Sequence, residues 1–271
     1  MKENLNKRLI FGSIIVGFII VAGLTSIFWT PYKIDDTSGL RLEPSSLSHL
    51  LGTDKLGRDL LSRTMSGALV AVEVGFFAVL IGLVLGLTIG ILAGYAQKKS
   101  DDAISSTLDI LIAFPTLLLA MLVVTARGQS LASAIISIGI GISIIVARLT
   151  RQLTKKILAT DFALAAKLSG TSRIRVVFLH ILPNIWHTIL VAVALQFGLA
   201  GLAEASLSYL GLGAPPPSAS WGSLLQEAQS TIYTSPISAI APGLSLVVLV
   251  IGVNLLADGL RIRFDPQSRQ R

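Results

Sequence analysis

The sequence has no cysteine, few aromatic residues and few charges, and each shortage closes off a class of protein. Without cysteine there is no disulfide framework, no thiolate nucleophile and no cysteine-ligated metal. Only 14% of the 271 residues are charged, against 52% hydrophobic, where a soluble domain usually carries about 25% charged residues. So few cannot cover a water-facing surface, and the mean hydropathy of +0.76 agrees. Aromatic residues make up 6% and glycines number 24, which suits close-packed membrane helices better than the alternating strands of a β-barrel. A phosphate-binding loop is missing too. Gly52-x4-Gly57 is followed by Arg58-Asp59 in place of Lys-Ser/Thr, and no buried strand leads into it. His49, His180 and His187 are scattered, so no metal site, catalytic base or Ser/His/Asp grouping is expected. The net charge of +7 would suggest nucleic acid in a soluble protein. Here it fits the cytoplasmic bias of Lys and Arg in membrane loops.

What the chain does have is apolar runs long enough to cross a bilayer, which takes about 20 residues each. Six are predicted, at residues 9–29, 68–95, 103–125, 131–147, 185–210 and 237–257, giving an all-α polytopic membrane protein. Lys2, Lys7 and Arg8 before the first run also fit a cleaved signal, but the run is long for one. Placing both termini, the turn at 97–102 and the stretch 148–183 on one side gathers sixteen of the 22 cations there and leaves six opposite. That asymmetry predicts both termini in the cytoplasm. The chain divides into residues 1–66, a first span with an outer segment; 67–260, the core transmembrane domain; and 261–271, a cytoplasmic tail.

Several polar features interrupt this pattern. Thr53 or Asp54 is expected to cap a short interfacial helix, with Asp59 and Arg63 paired at i,i+4. Gly82, Gly86, Gly90 and Gly94 recur every fourth residue, so one face of the second span has no side-chain bulk and admits a close helix neighbour. Pro115 is expected to kink the third span at mid-membrane. Asp109 and Glu204 lie within apolar runs. They either line a translocation path, together with the kink at Pro115, or pair at the membrane edge. The stretch 148–183 is the densest cationic segment, with Arg148, Arg151, Lys155, Lys156, Lys167, Arg173 and Arg175. A helix ending at Gly170 and a second one capped by Ser172 are predicted inside it.

Within that stretch, Asp161-Phe162-Ala163-Leu164-Ala165-Ala166-x3-Gly170, followed at matching spacing by His180-Ile181-Leu182-Pro183, resembles the cytoplasmic loop of ABC importer permease subunits. That family's pattern reads Glu-Ala-Ala-x3-Gly, then nine residues, then Ile-x-Leu-Pro. Leu164 stands in place of the glutamate and His180 in place of the isoleucine. Both departures look like the dipeptide, oligopeptide and nickel branch. His49-Leu50-Leu51-Gly52-Thr53-Asp54, Ala113-Phe114-Pro115, Ala203-Glu204-Ala205-Ser206-Leu207-Ser208-Tyr209, Ser220-Trp221-Gly222 and Asp258-Gly259-Leu260-Arg261 are similar to its C-type subunit. The resemblance implies a type I importer permease forming half of a pore with a homologous second permease in a bacterial or archaeal cytoplasmic membrane. It further implies two cytoplasmic ATPases, which would hold the ATP and Mg, and an extracytoplasmic binding protein that delivers peptide. No cofactor is expected on this chain, and it is not expected to be an enzyme. Asp161, Ala165, Ala166, Gly170, His180 and Pro183 would belong to the loop that couples to an ATPase. Import of nickel or a metal chelate is the alternative within the branch; a proton-coupled secondary carrier is the alternative of another class.

Overall fold

A computed structural model describes residues 2–96 and 98–264, with side chains for 7–96 and 99–264. Among the cations counted above, Arg269 and Arg271 lie outside the described residues, as do the side chains of Lys2 and Lys98. The described chain is helical almost throughout: α1 (Lys2–Phe28), α2 (Leu60–Gly94), α3 (Lys98–Ala113), α4 (Thr116–Arg127), α5 (Leu131–Leu158), α6 (Asp161–Leu168), α7 (Arg173–Val176), a π-turn (Val177–Ile181), α8 (Leu182–Tyr209), α9 (Trp221–Ala228) and α10 (Ile237–Phe264). Five helical stretches are long and apolar enough to cross a membrane, and α3 with α4 supply a sixth only as a broken pair bent by 84°.

That break corrects the expected kink. Proline lacks an N–H and disfavours helical backbone in the residue before it. Accordingly α3 stops at Ala113 and α4 starts at Thr116, with Pro115 in the cap position at φ −58° and ψ 117°. The expected kink is thus a full break of the helix, across which the two halves are bent by 84°.

The segment before α2 also differs from expectation. No helix is capped by Thr53 or Asp54. The Asp54 carboxylate instead accepts the backbone N–H groups of Leu56 at 2.8 Å and Arg58 at 3.0 Å. It thereby folds a tight loop around Gly57, whose φ is +83°. Asp59 is the true cap of α2, accepting the Ser62 N–H at 2.8 Å. It is held from the other side by His49 Nδ1 at 2.9 Å, so it does not pair with Arg63.

The glycine stripe finds its neighbour in α5. A Cβ on Gly82, Gly86, Gly90 or Gly94 would come within 3.0 Å of the side chain of Ile142, Val146, Thr150 or Thr154 respectively. Both series ascend together, so α2 and α5 run parallel along four turns with their backbones close. In membranes, where lipid competes equally for apolar surface, such close packing is what holds helices together. Gly86→Leu is expected to lower stability by about 1–3 kcal/mol through overpacking. Gly17→Leu, where a side chain meets nothing within 4 Å, should be silent, and detergent melting curves of the two variants check the contrast. α1 and α10 form a second, antiparallel seam in which Gly12 faces Leu256 and Gly259 faces Leu9.

α5 extends eleven residues past its expected end, to Leu158. Its last turns carry cations that favour the negative end of the helix dipole. Arg148 lies 3.3 Å from Asp109, while Arg151 and Lys155 both bind Asp101. Three cations assigned to a loop therefore clamp α3 to α5, and the loop itself begins at Ala159 rather than at 148. Likewise α10 runs to Phe264, so Arg261 belongs to a helix.

Candidate functional site

The α5–α8 connection projects from the end of the bundle that also holds the start of α3 and the end of α10. Its first element, α6, is only eight residues long. Gly170 closes it at φ +74°. The Thr171 N–H reaches the Ala166 carbonyl and the Gly170 N–H the Lys167 carbonyl, both at 3.1 Å. This is the paired-bond glycine terminator that satisfies the last carbonyls of a helix, as the sequence predicts. Ser172 then caps α7, accepting the Arg175 N–H at 3.4 Å.

The two alanines of the motif face opposite ways. Ala166 packs inward against a cluster of Val176, Ile181, Ile185 and Ile189, and Ala163 is buried beside it on the same side of the loop. Asp161, Leu164, Ala165 and Leu168 fall on the other face, spaced i, i+3, i+4 and i+7. All four are exposed, Leu168 at 81%. Gly170 meets nothing within 4 Å. The loop thus offers a bare, mostly apolar surface resting on a packed base.

His180, half-buried, and Pro183, exposed, lie where the loop runs into α8. Pro183 cannot donate a backbone hydrogen bond, and its ring would crowd the carbonyl four residues back in a regular helix. The helix answers by widening into the π-turn Val177–Ile181, closed by the Leu182 N–H on the Val177 carbonyl. His180 sits in this turn with its ring 5.9 Å from that of Phe162 on α6. Five of the six residues of the predicted coupling set lie in this loop, and Pro183 stands in the first turn of α8.

Asp109, Pro115 and Glu204 are not brought together. Asp109 is half-exposed against Arg148, and Pro115 marks the α3–α4 break. Glu204 is 2% exposed and accepts a 2.5 Å hydrogen bond from Ser208 Oγ. Beside Glu204, the α9 helix is seated on α8 and α2. Gly222 lies against the Ala205 carbonyl, and the Trp221 ring fills the space beside Gly67 while its Nε1 donates to the Thr64 carbonyl at 2.9 Å. Ser220 and Ser223 cap α9 reciprocally.

At that same end lies a cluster that sequence reasoning missed. Arg63, 3% exposed, donates through Nη1 to Asp54 at 2.6 Å and grips both oxygens of Glu227 at 2.6 and 3.0 Å. Arg58 donates to the same two carboxylates, at 2.7 Å to Asp54 and 2.6 Å to Glu227. Burial works to raise both acids. For Asp54 the Arg58 and Leu56 N–H bonds and the two guanidinium charges outweigh it; for Glu227 the Arg63 hydrogen bond and charge do. Both are therefore held below the usual carboxylate range. The one signal available was that Glu227 is the sole acid between residues 211 and 235. Its partners are more than 160 residues away.

The model for binding-protein-dependent transport system inner membrane components matches residues 86–270. The chain belongs to that family. Relatives of this permease family include a dipeptide transport system permease protein of Alkalihalophilus pseudofirmus, 38% identical over 97% of this chain and 87% of its own length. A glutathione transport system permease protein of Pectobacterium atrosepticum is 36% identical over 95% of this chain and 87% of its own. A di/tripeptide transport system permease protein of Pseudomonas aeruginosa is 35% identical over 97% and 89%. Among solved structures, an inward-facing methionine ABC transporter aligns with TM-score 0.58 at 18% identity, covering 71% of this chain and 91% of the other. An amino acid ABC transporter with histidines gives 0.57 at 21% over 74% and 94%. These two share the fold. Family membership sets aside the secondary carrier: the chain is a multi-pass permease of a bacterial inner-membrane transport system. Among the described residues, no three His, Asp or Glu side chains are grouped to hold a metal ion.

Proposed function

We propose that this permease forms half of the pore of an ATP-driven importer for di- and oligopeptides, and that α6 is where a cytoplasmic ATPase docks. The observation that carries the docking role is the outward face of Leu164, Ala165 and Leu168, exposed at the tip of a loop whose inner face is firmly packed. Exposed apolar surface on a cationic loop, outside the lipid-facing spans, is what a protein partner covers. The peptide class rests on the relatives, which carry dipeptide, di/tripeptide and glutathione transport in their names; they favour peptide over nickel.

In this reading both termini and α6 lie in the cytoplasm, following the cation asymmetry. The 30–59 segment and α9 face outward, toward a binding protein. A homologous second permease completes the pore in the bilayer, and ATP and Mg are bound and used by two ATPase subunits, leaving this chain without catalysis or cofactor. Closure of the ATPases moves α6, and the π-turn transmits that movement to α8, switching the pore between two packings. Affinity purification of the tagged chain from its own host should recover two ATPases and a second permease. The reconstituted complex should take up dipeptide only with ATP and binding protein present. Uptake by the isolated chain without ATP would overturn the reading.

A further inference from the structure

Two cavities flank α8 on opposite sides. One, of about 400 Å³, is walled by α1, α2, α8 and α10, and every described residue lining it is apolar, Phe76, Phe197 and Leu256 among them. It takes residues 190, 193, 194 and 197 of α8. The other, of about 550 Å³, takes residues 187, 188, 191, 192 and 195 of α8 and is walled by Leu149 of α5 and by Arg261 and Phe264 of α10. At 100° per residue the two sets occupy nearly opposite faces of the helix.

Their chemistry differs as sharply as their positions. The second groove carries an arginine, a histidine and a threonine hydroxyl among apolar walls, and no carboxylate lines it among the described residues. The His187 ring stands edge-on to Phe264 with centroids 4.6 Å apart, bracing the α8–α10 wall. Polar groups on a spanning helix mark a ligand path when they face a cavity. An apolar pocket with a few placed polar groups is the usual form of a small-molecule site. The acids that sequence reasoning offered for such a path are elsewhere: Asp109 pairs with Arg148 and Glu204 with Ser208.

We propose that this groove binds the transported peptide on the α6 side of the pore, with Arg261 receiving its C-terminal carboxylate. The inference rests on the peptide-import reading above. The α-carboxylate is the one anion that every unmodified peptide shares, and a guanidinium fork matches it with two parallel charge-assisted bonds. Thr188 offers a hydroxyl to the peptide backbone, while Val191, Leu195 and Phe264 accept side chains of differing size without demanding any one.

The test uses the complete transporter in nanodiscs without its binding protein, titrated with labelled Ala-Phe and with the C-terminal amide of the same dipeptide. The wild-type complex should bind the acid about tenfold more tightly than the amide, the size of one lost charge-assisted pair. Arg261→Gln should abolish the preference, and Arg261→Lys should keep part of it. Arg261 is exposed at the end of α10, so the variants should still co-elute with all other subunits. A wild-type complex that imports peptide yet shows no preference for the acid overturns the inference. So does an Arg261→Gln complex that retains the preference. A wild-type complex that imports no peptide in proteoliposomes overturns the reading beneath it.

Discussion

Arg63→Ala is expected to destabilise the end of the bundle that holds α9 by about 3–5 kcal/mol, the cost of stranding a buried charge partner. Arg63 is the hub of the cluster, joining the 30–59 loop through Asp54 to α9 through Glu227. Its removal leaves two acids facing one remaining cation, Arg58. Arg63→Lys should rescue only in part, because an ammonium cannot span both oxygens of Glu227. Melting of the purified protein should show the loss, and proteolysis should map it to residues 30–59 and 211–235. The cluster also sets a pH dependence. Asp54 and Glu227 both have folded-state values below their ordinary ones, so the folded state binds fewer protons than the unfolded state over the acid range. Their stabilisation is then fully present above about pH 5 and is lost as pH falls through about 4 and lower. In Glu227→Gln this acid-induced loss should be smaller and start from a lower plateau, readable as melting temperature against pH.

Ala165→Trp is expected to cut uptake by about tenfold or more while leaving the membrane fold intact. The residue is exposed on α6, so a large side chain costs nothing within the chain. Against an ATPase groove it would separate the two surfaces, and an anchor lost at the centre of an interface costs about 2 kcal/mol or more, beyond tenfold in affinity. Gly170→Trp should act similarly through the backbone. Nothing within 4 Å obstructs its side chain, but φ of +74° is strained for any L residue, by about 1–2 kcal/mol, which would loosen the terminator of α6. Ala166→Trp is the contrasting case: Ala166 packs on the Val176–Ile189 cluster, so bulk there should disorder the loop and lower stability as well. Normal transport by Ala165→Trp or Gly170→Trp would remove α6 from the coupling role.

The five continuous spans were legible because the bilayer makes a local demand. About 20 consecutive apolar residues must satisfy their backbone within one helix, and a run of sequence shows that directly. The turn chemistry of the α6 loop was legible for a similar reason. Gly170 and Ser172 act on backbone within five residues of themselves. The i, i+4 glycine spacing likewise announced a close-packed face.

What the tertiary structure alone decided is who meets whom. That the glycine face receives Ile142, Val146, Thr150 and Thr154 depends on α2 and α5 lying parallel, which no local pattern encodes. Local logic paired Arg63 with Asp59 one turn away, yet Asp59 had a backbone cap to make and Glu227 arrived from α9. Arg148, Arg151 and Lys155 read as loop charges until α3 supplied their acids. Arg261, read as tail, became a groove wall once α10 continued to Phe264 and came beside α8. Ion pairs and cavities are made by segments far apart in the chain. Their energies depend on distance and burial, and only the assembled bundle sets those.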